Sequence, residues 1–550
     1  MPKTGWLEPP KTITGQDHLA TIAVCEALYS QLLPGITNVT DRARCYSFFP
    51  WLLWAIDKYD LPKDRKSRVE LVRRAECLWC LVGIHHEDGG DSRIHGAGLA
   101  GREKLIPAWR ETASGEGITL STFATQDDVP ARYFKNKLGG FGQYYLGTFK
   151  DLKILTNDES LGLQYDEKRA TALAEAFAAG VDGQRFLDAV RRDRVSRHTL
   201  DQLQTFCPCQ LSKNVRERNV LVSLFFNQPG VFHDTGDEGR RRTLLVLLDL
   251  AQQLQAGNSP LAPDGLDLAA FRGGTYTGSL GKGHPWHPSD ALEPIRRQWA
   301  TYQRMELLSV AIQAVFWVTL TSLQEAGAIL ATSTQVGQWL VSAFSRRRLV
   351  NNLRERFVSA LERIKRNLPP VSDWEDARHE LQLYFQIEEQ VGDSTPDNLR
   401  IVLRSAIDII LELAARDNDQ ELSHEGFALA PEFFQAFPIN LQALRELSRG
   451  EWCQLDMGHF LEWLVARWCL DVHLRVGLRK LRYEDRDTFR VRPSETGLRV
   501  VEPWPPAYSR PRFQQAFQIL RDLGALSVDP RNGRVSLSPL GRQLLEGGRD

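Results

Sequence analysis

The stretch CLWCLVGIHHEDGG gathers Cys77, Cys80, His85 and His86 into one short segment. Spacings of this kind can hold zinc, because thiolate sulfur and imidazole nitrogen are its preferred donors. On a helix, positions 77, 80 and 84 share a face, yet Ile84 takes the third place and His85 lies off it. No second CxxC or HxxxH follows at usable distance, although Cys207 and Cys209 of FCPCQL could complete four thiolates in space. Cysteines in apolar runs are more often buried free thiols, so the sequence assigns no metal and no cofactor. His284 and His287 flank a tryptophan in GHPWHPSD, with Asp290 near, and the plainer reading is a proline-rich turn anchored by Trp286. The glycines of GGTYTGSLGKG suggest a phosphate loop, but Lys282 is followed by Gly283 rather than Ser or Thr, which leaves a flexible loop. There is no GxSxG, no HExxH and no H-x-K-x4-D, since His473 is followed two places on by Arg475. These readings favour a non-enzymatic chain. The alternatives are a metal-dependent nuclease or hydrolase built from distant acids and histidines, and a pure protein–protein scaffold.

Arginines are the second chemical signal. In PGITNVTDRARCYSFFPWLLWAI, Arg42 and Arg44 precede five aromatics, at 46, 48, 49, 51 and 54. A guanidinium can hold a carboxylate or a phosphate in two bonds. The pair therefore acts either as a structural clamp, pairing with acids of the 87–91 loop, or as a contact to a partner. Burying several of the rings contributes on the order of 1.5–3 kcal/mol each, which favours the clamp. Pro50 is expected to break or kink the segment, and Thr40 or Asn38 to cap it.

Composition bounds the rest. A chain of 550 residues is too long for one core and suggests several units. The net charge of −1 gives no overall pull towards nucleic acid or membrane, so any such attraction comes from local patches. Eight cysteines are too sparse for a disulfide framework, and MPKTGWLEPPKTITG lacks a signal-peptide core. The expected setting is cytoplasmic, without membrane contact. The apolar run LLSVAIQAVFWVTLTSL, 307–323, carries Ser309, Gln313, Thr319 and Thr321 and falls short of the roughly 20 residues a bilayer needs, so it reads as a buried core helix.

Most of the chain shows helical periodicity. Leu19, Ile22, Ala23 and Ala27 define one face, ended by Pro34-Gly35, and Val69, Val72, Ala75, Trp79 and Val82 define another. Residues 345–370 read as a helix with eight Lys/Arg against two Glu, about +6, including Arg346, Arg347 and Arg348. The following 373–425 carry fourteen acids against four arginines, about −10.

An internal repeat is the most informative pattern. Residues 149–177, FKDLKILTNDESLGLQYDEKRATALAEAF, and 520–546, LRDLGALSVDPRNGRVSLSPLGRQLLE, share one layout. Each ends a helix on a basic residue and Asp-Leu, forms a short hairpin, and starts a helix at Asp166 or Ser538. In the second copy Leu526/Val528 and Val535/Leu537 alternate on two arms, with Gly533 supplying the turn. Helix, two-stranded wing and closing helix is the layout of a winged-helix unit, a module that contacts duplex DNA or docks proteins. The candidate nucleic-acid residues are Arg479, Lys480, Arg482, Arg512, Arg521, Arg531 and Arg534, with Arg346, Arg347 and Arg348 as a second patch.

Three stretches together resemble a bacterial antiviral-defence-associated family: PGITNVTDRARCYSFFPWLLWAI, which is similar to its PG…RARYxxFxPW element, RRAECLWCLVGIHH…GLAG, and HLRVGLRKLRYEDRDTFRVRP…RPRFQQAFQILRDLG. The resemblance implies a context beside helicases, ATPases or nucleases, and supplies no catalytic residues. The expectation is a mainly α, multidomain helical protein with two winged-helix-like units. Its segments are an N-terminal helical domain, 1–125, a winged-helix-like unit, 126–195, a helical domain, 196–345, with a long irregular loop at 228–295, a helical domain, 346–470, and a C-terminal winged-helix-like domain, 471–550. Its expected role is a DNA-contacting, partner-docking subunit of an antiviral system, with double-stranded DNA and defence proteins as partners.

Overall fold

The computed structural model describes residues 17–59, 64–88, 90, 94–112, 116–158, 162–256, 268–281, 284–346, 352–418, 422–484, 486–529 and 535–548. The chain is mainly helical, with small two-stranded antiparallel hairpins. It divides into two compact units, each assembled from separated stretches. One comprises Leu33–Leu268 and Arg512–Asp550. The other comprises Thr14–Leu32 and Ala269–Pro511.

The first unit is organised by helix Cys45–Lys58. Tyr46, Phe48, Phe49 and Trp51 are buried, and Trp54 is half-buried under Lys58. Pro50 sits inside this helix and does not end it, and Arg44 rather than Thr40 or Asn38 stands at its N-cap. Thr40 instead accepts the Thr37 amide in the preceding turn, at 2.8 Å. Phe48 stacks on Trp79 at 4.0 Å between centroids, and Phe186 stacks on Phe206 at 4.3 Å. Trp79 belongs to helix Arg65–His86, whose Cys77-to-Ile84 stretch is buried on every side.

The repeat survives at the level of single hydrogen bonds. In the first copy Lys153 takes a left-handed backbone, φ 54°, and Ile154 N donates to Phe149 O at 2.8 Å. In the second, Gly524 takes φ 74° and Ala525 N donates to Leu520 O at 2.9 Å. Both are left-handed helix ends that return the chain against its own last turn. Strands Leu155–Asp158 and Gly162–Tyr165 pair in one copy, Leu526–Val528 and Val535–Leu537 in the other. Ser538 is the N-cap of its helix and accepts the Gly541 amide at 3.0 Å, whereas Asp166 accepts the Arg169 amide at 2.6 Å from two residues ahead of Lys168, which stands at the N-cap. Gly533 lies outside the described residues.

The second unit wraps helix Glu293–Ala326, which is buried along 307–323 and is a core helix of the protein. Helix Thr21–Leu32 packs on it through Val24, Cys25, Leu28 and Leu32, a stripe turned away from the Ile22/Ala23/Ala27 face read from the sequence. Pro396–Ala415 lies along it too. Two further readings are corrected. The segment 228–295 is not one irregular loop, since it contains helices Glu238–Ala256 and Leu268–Thr277. Within the second of these, a Cβ on Gly273 would meet the Trp374 ring at 2.3 Å, so this glycine serves close packing rather than mobility. The basic stretch 345–370 is not one helix either: Ser333–Arg346 ends within it and Phe357–Asn367 follows.

Glu76 of helix Arg65–His86 is buried and accepts from Gly140 N at 2.9 Å, Phe141 N at 2.7 Å and the Tyr133 hydroxyl. Burial pushes its carboxyl up to about 7 against these bonds and the Arg73 charge. An acid whose folded pKa is raised stabilises the fold below its unfolded pKa and loses that contribution as pH rises to the folded value. Relative to Glu76→Gln, the wild type should therefore lose on the order of 3 kcal/mol between about pH 4.5 and 7. Urea unfolding of both proteins across that window measures the difference, and parallel curves would refute it.

Candidate functional site

Arg42 and Arg44 are each 1% exposed and point into the first unit. Arg42 Nε donates to Asp522 Oδ2 at 2.9 Å. Its other nitrogens donate to the carbonyls of Ile94 at 2.8 Å, Ala97 at 3.0 Å and His95 at 3.4 Å. Arg44 holds both oxygens of Glu217, at 3.1 Å each, and donates to the carbonyls of Thr205, at 2.8 Å, and Cys207. Ser47 and Asn214 satisfy the rest of Glu217. Both arginines are thus structural clamps. Their acids are Asp522 and Glu217 rather than those of the 87–91 loop, where Glu87 pairs instead with Arg102.

The clamps fix two short backbone segments, 94–97 and 205–207, and beside them four donor side chains meet. His86 ends its helix, His95 follows in a turn, Cys207 joins two 3-10 turns, and Cys209 lies in the second of them. One donor atom of each lies within 4.8 Å of the others. Cys209 is pulled down to about 5 by hydrogen bonding from Cys207 and by the charges of His86 and His95, against its burial. The Cys207 thiol is pushed up by the same bond and by burial. The other members of the sequence motif go elsewhere. Cys77 and Cys80 are core thiols raised by burial, and His85 binds Asp201 at 2.7 Å. His284 and His287 are exposed, with Trp286 buried between them. The sequence reading missed His95 because eight residues separate it from His86 and no spacing rule joins it to a CxC pair.

The candidate nucleic-acid residues fall into four groups. Arg347, Arg348, Arg531 and Arg534 lie outside the described residues, as does the side chain of Arg346. Lys480 is buried, with its ammonium on the Asp17 carbonyl at 2.6 Å, which removes it from any solvent-facing patch. Arg512 and Arg521 are half-buried at the two ends of helix Phe513–Asp522, and Arg521 donates to Gln518 at 3.4 Å. Arg479 lies over the Phe437 ring at 5.5 Å, and Arg482 is exposed beside Tyr483.

These last two share helix Val472–Glu484 with an unusual outer surface. Val472, His473, Val476 and Lys480 face inward. Leu478 is 60%, Leu481 46% and Tyr483 74% exposed, flanked by exposed Arg475 and Arg482. Positions 475, 478 and 482 fall on one stripe of the helix.

No protein-family model, curated protein or solved structure matches the chain.

The Arg44–Glu217 pair gives a direct test of the clamp. Removing one partner of a buried pair strands the other charge, so Arg44→Met should cost about 3–5 kcal/mol. Arg44→Met/Glu217→Gln should cost less than the sum of its single changes, because the stranded carboxylate is gone. Urea unfolding of the four proteins measures this, and additive losses would show that the pair does not act as a unit.

Proposed function

We propose that the protein is a non-enzymatic docking subunit of a bacterial antiviral assembly, and that helix Val472–Glu484 carries its docking face for an acidic, amphipathic segment of a partner protein. The observation that carries this reading is the exposure of Leu478, Leu481 and Tyr483 within six residues of one helix. Among the described residues, the other exposed large apolar side chains, such as Val129, Val215 and Val231, are scattered along the chain. Clustered apolar exposure marks interaction surfaces, whereas single exposed side chains are ordinary. The flanking Arg475, Arg479 and Arg482 set the sign of the partner, because a basic rim around apolar anchors complements acids around an apolar stripe.

A protein partner fits this face better than duplex DNA does. Leucine side chains gain by entering an apolar pocket and have no counterpart on a phosphate backbone. The C-terminal hairpin unit points the same way if it is read as winged-helix-like. Helix Phe513–Asp522 turns Phe513, Phe517 and Leu520 inward and commits Asp522 to Arg42, and Gln514 is its one exposed residue. A helix so engaged serves packing rather than a major groove. The antiviral setting comes from the sequence resemblance and is the frame in which partners should be sought.

The test compares wild type with Leu478→Asp/Leu481→Asp, each recovered from cells expressing the full native protein set, with hydrogen exchange on the isolated complexes. The expected result is a stoichiometric protein partner that protects 472–484 and binds the variant at least tenfold more weakly, a loss of about 1.4 kcal/mol or more. Undiminished binding by the variant would overturn the reading. So would retardation of a short duplex that disappears in Arg475→Glu/Arg482→Glu and survives the leucine changes, since that pattern assigns the face to DNA. Metal-dependent duplex cleavage by the purified chain would favour the hydrolase alternative.

A further inference from the structure

We propose that His86, His95, Cys207 and Cys209 form a structural zinc site that joins the loop after helix Arg65–His86 to the 3-10 turns at 204–212. The donor set is two imidazoles and two thiols. This set selects zinc among common divalent ions when four protein ligands surround the metal. Calcium and magnesium take oxygen ligands instead.

The distances suit the ion. Tetrahedral zinc with bonds of about 2.0–2.3 Å places its ligand atoms roughly 3.3–3.8 Å apart. His95 Nδ1 and Cys207 Sγ stand 3.4 Å apart, and His86 Nδ1 and Cys209 Sγ 3.3 Å. All four donor atoms lie within 4.8 Å of one another. The two imidazoles stand nearly perpendicular, at 88°, with centroids 4.8 Å apart. Two nitrogen–sulfur pairs are therefore already at the edge length of a tetrahedron, and the remaining pairs, at no more than 4.8 Å, lie within about 1.5 Å of it.

The surroundings hold the ligands from outside. Arg42 binds the His95 carbonyl and Arg44 the Cys207 carbonyl. Trp79 Nε1 donates to Phe206 O at 2.8 Å, fixing the residue before Cys207. Gln210 Nε2 donates to Cys209 Sγ at 3.3 Å, the kind of bond that tempers a metal-bound thiolate. Glu87 and Arg102 close the loop that carries His95. Four protein ligands leave no coordination position for substrate, so the site is a staple rather than a catalytic centre. This assignment does not depend on the docking reading, since the two rest on different residues.

The test uses the full chain. Protein made in zinc-supplemented medium is dialysed and its metals are measured by mass spectrometry, and cobalt(II) is then added to chelator-stripped protein. The expected results are about one zinc per chain and the intense visible absorption of tetrahedral cobalt with thiolate ligands. Cys209→Ser and His95→Asn should each lower metal content at least tenfold, while Cys453→Ser, away from the cluster, keeps it. Arg44→Lys should keep the metal but weaken its affinity about 10–100-fold, as expected of a group that positions ligands. Chelation of the wild type should speed tryptic cleavage within 87–101 and 203–214. Absence of stoichiometric zinc, iron or copper in its place, or octahedral cobalt spectra in the wild type would each overturn the proposal. These three readouts need no variant to fold.

Discussion

The first unit depends on guanidinium groups buried where water cannot reach them. A guanidinium presents five N–H donors in a fixed fork, and each donor left unpaired in an apolar interior costs free energy. Here the donors are spent on backbone. Arg73 collects the carbonyls of Thr125 at 2.8 Å and Phe134 at 3.0 Å, with Ala124 and Asn136 beside them. Arg240 collects Leu224 at 2.8 Å, Phe225 at 3.1 Å and Pro34 at 2.9 Å, and pairs with Asp237. Arg42 and Arg44 do the same for 94–97 and 205–207. Irregular loops have carbonyls that no helix or strand satisfies, and the buried cations supply the missing donors. Each arginine thereby fixes a loop shape that its own sequence does not specify. Burying charge in this way adds little net stability, because desolvation opposes the pairing, but it penalises any arrangement that strands a donor.

What could be read from the sequence follows how local each signal is. The repeat was legible because a helix end, a hairpin and an N-cap are each written within a few residues. Even so, its two copies differ in how openly they declare themselves. Gly524 announces a left-handed turn, while Lys153 adopts the same turn with a side chain that gives no hint of it. Helix Leu268–Thr277 was hidden because Gly273 and Gly274 signal a loop by propensity. Tertiary packing overrides that signal, since Trp374 occupies the space a side chain would fill. Pro50 misled for a related reason. It stands in the sixth position of a helix buried on almost every side, where packing outweighs one lost backbone bond.

The candidate sites were legible only in part, for the same reason. That Arg42 and Arg44 act as clamps followed from their place beside rings that must be buried. Their partners did not follow, because Asp522 lies 480 residues along the chain and Glu217 lies 173. The histidine–cysteine cluster draws on three separated segments, and two of the four thiols that the sequence brings into consideration, Cys77 and Cys80, are core thiols. Net basicity was a poor guide to which cations face solvent. Lys480 sits at a helix position whose neighbours face inward, and a count of charges cannot tell an inward cation from an outward one. Nor does composition mark a unit whose pieces are interrupted by another unit, as both are here.

The proposed zinc site and the proposed docking helix differ in what the fold has already done for them. The 94–97 and 204–212 segments have almost no regular structure of their own, consisting of turns and two 3-10 stretches. Such segments order only if something outside them removes their freedom, at a backbone cost of about 1–2 kcal/mol per residue. Arginine–carbonyl bonds and the wedge of Phe206 between Trp51 and Phe186 provide this restraint on one side. The meeting of two imidazoles and two thiols provides a natural restraint on the other, so each ligand-bearing segment is held at both backbone and side chain. Helix Val472–Glu484, proposed above to dock a partner, is the opposite case. Its inner face is fixed by buried Val472, His473, Val476 and Lys480, and its outer leucines and tyrosine are left in water at a cost the monomer does not recover. A rigid helix that keeps apolar anchors exposed loses little further freedom when a partner covers them, which is the condition under which buried area converts most efficiently into affinity.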